Sequence, residues 1–388
     1  MQTPFVPQEI KLRFGEGTIS GIISLFLSIS CFLGVVAFYF PAYLTTPDLR
    51  MVYSESFARS LMFIGVLTSG FFIILTVILS KKIRLASISF TLLLVTIVLG
   101  SNTVPLSTGV AGLVEKPTIY FGLDFLILNL LAFAFVFVII EKLFGHYKQQ
   151  LIFRKEWGTD LFYFALNHIL IGIFLLIVTG FVSSFSFAIN EGLQRSVGSL
   201  PFIAQFFLIL LVADMVQYWS HRAYHEVPFL WKFHAVHHSV MEMDWLAGSR
   251  LHVVELLMTR SLVLLPIFLL GFHADVISAY VTFVSFQAVF DHANVSINPG
   301  FFRYIFVTPN FHHWHHSQDK EALDKNYAVH FAFLDYLFGT AVNSQKMWPK
   351  KYGVLGGYVP LGFWKQFLFP FLANFKELKN VVKRTKEK

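Results

Sequence analysis

The chain has 388 residues, of which 55% are hydrophobic and only 14% charged, with a mean hydropathy of +0.63. Soluble domains carry about 25% charged residues, so the composition excludes an ordinary soluble fold and predicts an integral membrane protein. The net charge of +7 is not a nucleic-acid signature, because the basic residues fall in short loops and at the C-terminus instead of on one face.

A membrane-spanning helix needs about 20 apolar residues. Runs at 19–43, 57–80, 84–103, 119–141, 160–187 and 199–219 predict six spans. Two weaker runs, 254–272 and 275–291, predict a hairpin turned at Gly271-Phe272-His273, either fully spanning or re-entrant. The expected fold class is therefore all-α, a multi-pass membrane helical bundle of about six to eight spans. The first run is long enough to span and lacks a small-residue cleavage site, so no cleavable signal peptide is expected. Its Cys31 is the only cysteine, which excludes a disulfide framework, a thiolate zinc cluster and an iron–sulfur cluster.

Orientation follows from Lys and Arg in the short loops. Lys11 and Arg13 precede the first span; Lys81, Lys82 and Arg84 separate the second and third; Lys142, Lys148, Arg154 and Lys155 separate the fourth and fifth. The alternate loops hold fewer: Arg50 and Arg59, then Lys116, then Arg195. Both termini are expected on the cytoplasmic side. Three parts result: a four-span block over 1–155, a chemical region over 156–345, and a tail over 346–388 whose last stretch, Lys376 to Lys388, holds six basic and two acidic residues. The tail is expected to be a solvated segment that keeps its side cytoplasmic, or to meet anionic lipid or a redox partner.

Histidine marks the chemical region. Twelve of the fifteen lie between His221 and His316, where an even spread would place roughly four. They form three boxes: His221-x3-His225, His234-x2-His237-His238, and His312-x2-His315-His316. Helix positions i, i+3 and i+4 share one face, so each box aims a cluster of imidazoles at one point. His252, just before the predicted hairpin, and His292, just after it, lie at the same side and join the candidate ligands. Ten nitrogens shared by two six-coordinate ions would give five each and leave one open position apiece. His313 falls on another helical face and is expected behind the ligands or exposed. His146, His168, His273 and His330 are isolated and expected to be non-ligands.

Imidazole suits iron, copper, zinc or nickel. An all-histidine set brings no negative charge, so acidic neighbours are expected behind it: Asp214, Glu226, Glu255, Asp291 and Asp324 are candidates, and Asp214, Glu255 and Asp291 are taken as the supporting carboxylates. Asp214 shares a helix face with Tyr218, His221 and His225, where it could accept a ring N–H and set a tautomer. His225-Glu226 begins like the zinc-protease pattern H-E-x-x-H, but position 229 is Phe229, so that pattern fails. The aromatics Tyr218, Trp219, Trp231, Trp245 and Trp314 either wall a cavity or form the interfacial belt. No phosphate-binding, flavin, nicotinamide or haem motif is visible. A metal transporter or metal-binding membrane protein is the rival reading, but its ligands should sit mid-bilayer on broken helices, whereas these follow the ends of the spans.

From Asp214 to Thr340 the sequence resembles the fatty acid hydroxylase / sterol desaturase superfamily of membrane di-iron oxygenases. The resemblance runs through Asp214-Met-Val-Gln-Tyr218-Trp219-Ser-His221-Arg222-Ala-Tyr-His225-Glu226, Trp231-Lys-Phe-His234-Ala-Val-His237-His238-Ser239 and Arg250-x-His252-x-x-Glu255. It continues through Asp291-His292-Ala-Asn294, Thr308-Pro309-x-x-His312-His-Trp-His315-His316-Ser317, Asp324-Lys-Asn326-Tyr327 and Asp335-Tyr-Leu-Phe338-Gly339-Thr340. It implies two iron ions held by the ten histidines named above and O2 as co-substrate. It also implies hydroxylation or desaturation of a membrane lipid, whether fatty acyl, sterol-like or alkylglycerol. With no redox cofactor motif of its own, the chain would need electrons from a separate ferredoxin- or cytochrome-type donor.

Overall fold

In this computed structural model the described residues are 17–47, 49, 55–80, 83–103, 119–342, 347–356 and 358–373. The expectations placed on Lys11, Arg13, Arg50, Lys81, Lys82, Lys116 and the basic tail from Lys376 fall outside them. Among the described residues the structure is helical with no strand, and its one isolated bridge joins Ser317 to Tyr352. Six helices are long and apolar enough to cross a membrane, or seven if one bent pair counts as a single span. The protein is a multi-pass membrane protein.

The residues divide into two compact units, 1–129 with 168–172, and 130–167 with 173–388. The dividing line falls inside the fourth span instead of at residue 155. In the first unit, helices α1 (Thr18–Tyr39), α2 (Glu55–Ser80) and α3 (Ile83–Thr103) pack together. Small hydroxyl residues line their contacts: Ser24 bonds Ser89 at 3.1 Å, Ser28 bonds Ser69 at 2.8 Å and Thr76 bonds Ser20 at 2.9 Å. Small side chains let membrane helices approach closely while their hydroxyls bond across the seam.

Helix α4 (Leu123–Phe144) begins in this unit and runs into the second. The run expected as one span over 160–187 is two helices, α5 (Trp157–Ile169) and α6 (Ile171–Ser183), bent by 58°. The bend has a local cause. The Gly122 N–H takes the Ile169 carbonyl at 3.0 Å, away from the helix ladder. Gly172 also admits the Tyr120 carbonyl so closely that a Cβ there would lie 2.3 Å from the oxygen. An uninterrupted apolar run carries no sign of such an intrusion.

In the second unit, α7 (Glu191–Gly198) leads to α8 (Phe202–Glu226), which runs seven residues past the expected span end and carries the first histidine box on its own final turns. Pro228 opens α9 (Pro228–His237) at its first turn, where the missing N–H costs nothing. Helices α10 (Val253–Leu270) and α11 (Ala274–His292) form the expected hairpin, with Gly271 in the left-handed conformation (φ 67°) at the turn. Thr308 caps α12 (Pro309–His315), which also starts on proline, and α13 (Phe363–Leu372) follows.

A buried ionic cluster fastens the segment between the second box and α10. Arg154 Nη2 donates to Asp160 at 2.6 Å and to Asp244 at 2.7 Å, while Arg250 Nε donates to the other Asp160 oxygen at 2.5 Å. Arg250 is 1% exposed and Asp160 wholly buried. The loop arginine read as an orientation signal is therefore a buried structural group.

Candidate metal centre

Helices α8, α9, α11 and α12 each carry histidine in their last turn: His225; His234 and His237; His292; His312 and His315. A helix C-terminus bears partial negative charge and favours a nearby cation. His238 and His316 occupy the C-cap positions of α9 and α12, so the two H-x2-H-H boxes end two short, proline-started helices in the same way.

Two groups of ring nitrogens result, each with its atoms within 4.8 Å of one another. One holds His221, His225, His234, His238 and His315; the other holds His237, His292, His312 and His316. The groups adjoin, with the His238 and His316 rings stacked at 4.4 Å. The structure thus brings together nine of the ten candidate ligands.

The tenth, His252, lies apart. Its Nδ1 accepts the Val254 N–H as the N-cap of α10, its Nε2 bonds the Phe367 carbonyl at 3.0 Å, and its ring stacks on Phe367. With both nitrogens used, none remains for a metal. The expected five-and-five division becomes five and four.

The partners behind the rings fix their tautomers. Nδ1 of His221, His237, His292 and His315 donates to the carbonyls of Tyr327 (2.7 Å), Arg250 (3.1 Å), Ala288 (2.7 Å) and Lys325 (2.8 Å). His234 Nδ1 faces Glu255 Oε1 at 2.6 Å. A carbonyl only accepts, as does an ionised carboxylate, so on the four carbonyl-bonded rings, and on His234 with Glu255 ionised, the proton sits on Nδ1 and Nε2 presents a lone pair. These lone pairs meet: His221 and His234 Nε2 are 3.0 Å apart, and His237 and His292 Nε2 are 3.2 Å apart. Two acceptors at that distance repel unless a cation lies between them. His315 Nε2 is buried with no hydrogen-bond partner. Burial first, and then neighbouring imidazoles, hold His234, His238, His315 and His316 well below the usual histidine pKa, which keeps them neutral as ligation requires. The donor set fits two metal ions.

The supporting carboxylates divide differently from expectation. Glu255 stands directly behind His234. Asp214 does not touch a histidine ring: its two oxygens accept the Val329 N–H at 2.9 Å and the Phe331 N–H at 2.6 Å. Together with Asp335, which accepts the Tyr327 and Ala328 N–H groups at 2.8 Å, it holds the loop whose carbonyls orient His221 and His315. Asp324 and Asn326 adopt left-handed φ of 56° and 58° in that loop, a conformation these residue types tolerate. Asp324 also lies 3.5 Å from His225 Nδ1. Glu226 instead pairs with Arg222 at the surface. Asp291 is buried, and neither of its oxygens has a hydrogen-bond partner.

His313 is wholly buried behind the ligands, its Nε2 3.1 Å from the His292 carbonyl and its Nδ1 2.8 Å from the Tyr352 hydroxyl. His146 stacks on Trp348, His168 on Phe125, and His330 bonds Gln287. The backbone N–H of His273, at the N-cap of α11, donates to the Gln205 side chain.

A cavity of about 140 Å³ opens from the histidines between α8, α10 and α11. His234, His237, His292, His312, Glu255 and Asp291 form its polar end, and Leu256, Val263 and Val284 its apolar wall. Of the aromatics read from the sequence, none lines this cavity; Tyr224 does, and Trp231 packs against His225 and His238. Sequence reasoning missed Tyr224, although it precedes His225 and sits one turn from Ser220.

Because the Glu255 carboxyl group faces the His234 ring at 2.6 Å, its removal has a defined consequence. Glu255→Gln should weaken metal retention about 10–100-fold, the usual effect of losing a partner behind a ligand. Competition with a chelator followed by metal analysis measures it; retention equal to wild type would show that His234 needs no orienting group.

The fold and this nitrogen set define a class: a membrane helical protein with two adjoining groups of histidines, each able to hold a metal ion. Residues 206–340 match the family described as Fatty acid hydroxylase. The ornithine lipid hydroxylase OlsE of Rhizobium tropici is 33% identical over 171 residues, 44% of this chain and 51% of that protein. The alkylglycerol monooxygenase of Homo sapiens is 30% identical over 130 residues, 34% of this chain and 29% of that protein. A very-long-chain aldehyde decarbonylase, GL1-7 of Oryza sativa subsp. japonica, is 25% identical over 142 residues, 34% of this chain and 22% of that protein. The chain thus spans about half or less of the length of these relatives. No solved structure matches it.

Proposed function

We propose that this protein is a non-haem di-iron oxidoreductase that uses O2 to hydroxylate or desaturate a membrane lipid, drawing electrons from a separate ferredoxin- or cytochrome-type donor. The observation that carries the reading is the convergence of nine histidines on two adjoining groups at the head of a cavity between membrane helices. The named relatives that act on lipids support it.

When bound, iron supplies the oxidising chemistry with O2, while the protein supplies orientation and exclusion of water. The nine histidines, and not His252, would hold the two ions. Glu255 fixes His234, and the loop held by Asp214 and Asp335 fixes His221 and His315. Leu256, Val263 and Val284 give the cavity an apolar wall suited to a lipid chain entering from the bilayer. The histidine-bearing helix ends lie, in this reading, on the cytoplasmic side with the basic loops.

The test joins metal to product. Protein purified after aerobic, iron-replete growth should hold about two iron per chain. Lipids of expressing cells should show a +16 or −2 mass change absent from cells expressing His237→Ala. Stoichiometric zinc that iron cannot replace on reconstitution, or identical lipid profiles, would overturn the proposal.

A further inference from the structure

Arg260 lies seven residues into α10, inside a segment apolar enough to span a membrane. An arginine there is costly, and intramembrane cations are retained where they meet a partner or a substrate. Among the described residues Arg260 forms no ion pair and no hydrogen bond, unlike Arg154, Arg222 and Arg250. It is exposed on the helix surface and also lines the cavity that the histidines head, so it stands at the cavity mouth. Glu255 and Asp291, the acids of that cavity, lie at its histidine end, and five residues of helix separate Glu255 from Arg260, about 7.5 Å along the axis.

We propose that Arg260 binds the anionic group of a lipid substrate, a carboxylate or a phosphate ester, whose carbon chain enters the cavity toward the histidines. The proposal rests on the reading of the protein as a lipid oxygenase and adds the charge class of its substrate. A cation with no protein partner on the cavity wall selects against neutral chains and for those ending in an anion. A guanidinium suits either group because its planar donors meet carboxylate and phosphate oxygens in pairs.

The experiment is equilibrium binding to the purified full chain in a neutral detergent, with oleate, dioleoyl phosphatidic acid and oleyl alcohol as probes. Wild type should bind at least one of the two anions about tenfold or more tightly than the alcohol, the effect of one charge-assisted hydrogen-bond pair. Preference for oleate assigns a carboxylate; preference for phosphatidic acid assigns a phosphate. Arg260→Gln should abolish the preference at unchanged metal content, and Arg260→Lys should keep part of it. Equal binding of all three probes by wild type, or an undiminished anion preference in Arg260→Gln, would overturn the proposal. Metal is measured on the same samples: a wild type that prefers anions but holds no iron would refute the oxygenase reading and leave the anion site standing.

Discussion

Replacing His315 by alanine should strip most of the metal from the purified protein, whereas replacing His252 should leave the metal in place. His315 presents a buried, unpartnered Nε2 to the five-histidine group and has its proton pinned on Nδ1 by the Lys325 carbonyl. Nothing else in that group can move into its position, because the other rings are held by their own helices and carbonyls. The loss should exceed the 10–100-fold typical of a group behind a ligand. His252 is the same residue type but stands at the N-cap of α10. Its nitrogens serve the Val254 N–H and the Phe367 carbonyl. His252→Ala therefore removes a cap and a packing contact, costing about 1 kcal/mol for the cap, and lowers thermal stability without emptying the centre. Metal analysis and a melting curve on both variants decide the matter. Loss of metal in His252→Ala at unchanged melting temperature would restore it to the ligand set.

That contrast marks what a sequence can disclose about such a site. Spacing of i, i+3 and i+4 states which imidazoles share a helix face, and the structure gathers all eight box histidines. Spacing is silent on which nitrogen faces inward, since that depends on carbonyls contributed by distant residues such as Arg250, Lys325 and Tyr327. His252 and His292 looked alike as single histidines at the ends of apolar runs. One begins a helix, where its ring caps an N–H; the other ends one, where its ring faces a cation-binding pole. Only the direction of the chain separates them.

The helical spans were legible because bilayer thickness dictates the length of an apolar run. The break between α5 and α6 was not, because it is caused by Tyr120 and Gly122, which lie about fifty residues upstream. Asp214 was legible as an acid on the histidine face of α8, yet its oxygens reach past the rings to the backbone of Val329 and Phe331. Helical position gave its face but not the loop folded against it.

The ionic cluster behind the second box should prove the most sensitive point outside the ligands. Asp160→Ala removes the carboxylate shared by Arg154 and Arg250 and leaves two buried guanidinium groups with Asp244 as the only remaining carboxylate bonded to either. Breaking a buried pair from one side costs about 3–5 kcal/mol, because the stranded charge keeps its desolvation penalty. The damage should also reach the metal. Arg250 holds its guanidinium on Asp160 while its own carbonyl accepts from His237 Nδ1, so a shifted Arg250 backbone releases the tautomer of His237. Asp160→Asn, which keeps the shape and one acceptor, should fall between wild type and alanine in both melting temperature and metal retention. Arg195→Ala, at an exposed ion pair with Glu191, should change neither, since solvent screens such pairs. Should Asp160→Ala melt with wild type and keep its metal, the cluster is incidental to the centre. If it melts early but retains full metal, the cluster stabilises the fold alone and His237 is positioned by α9 without help from Arg250.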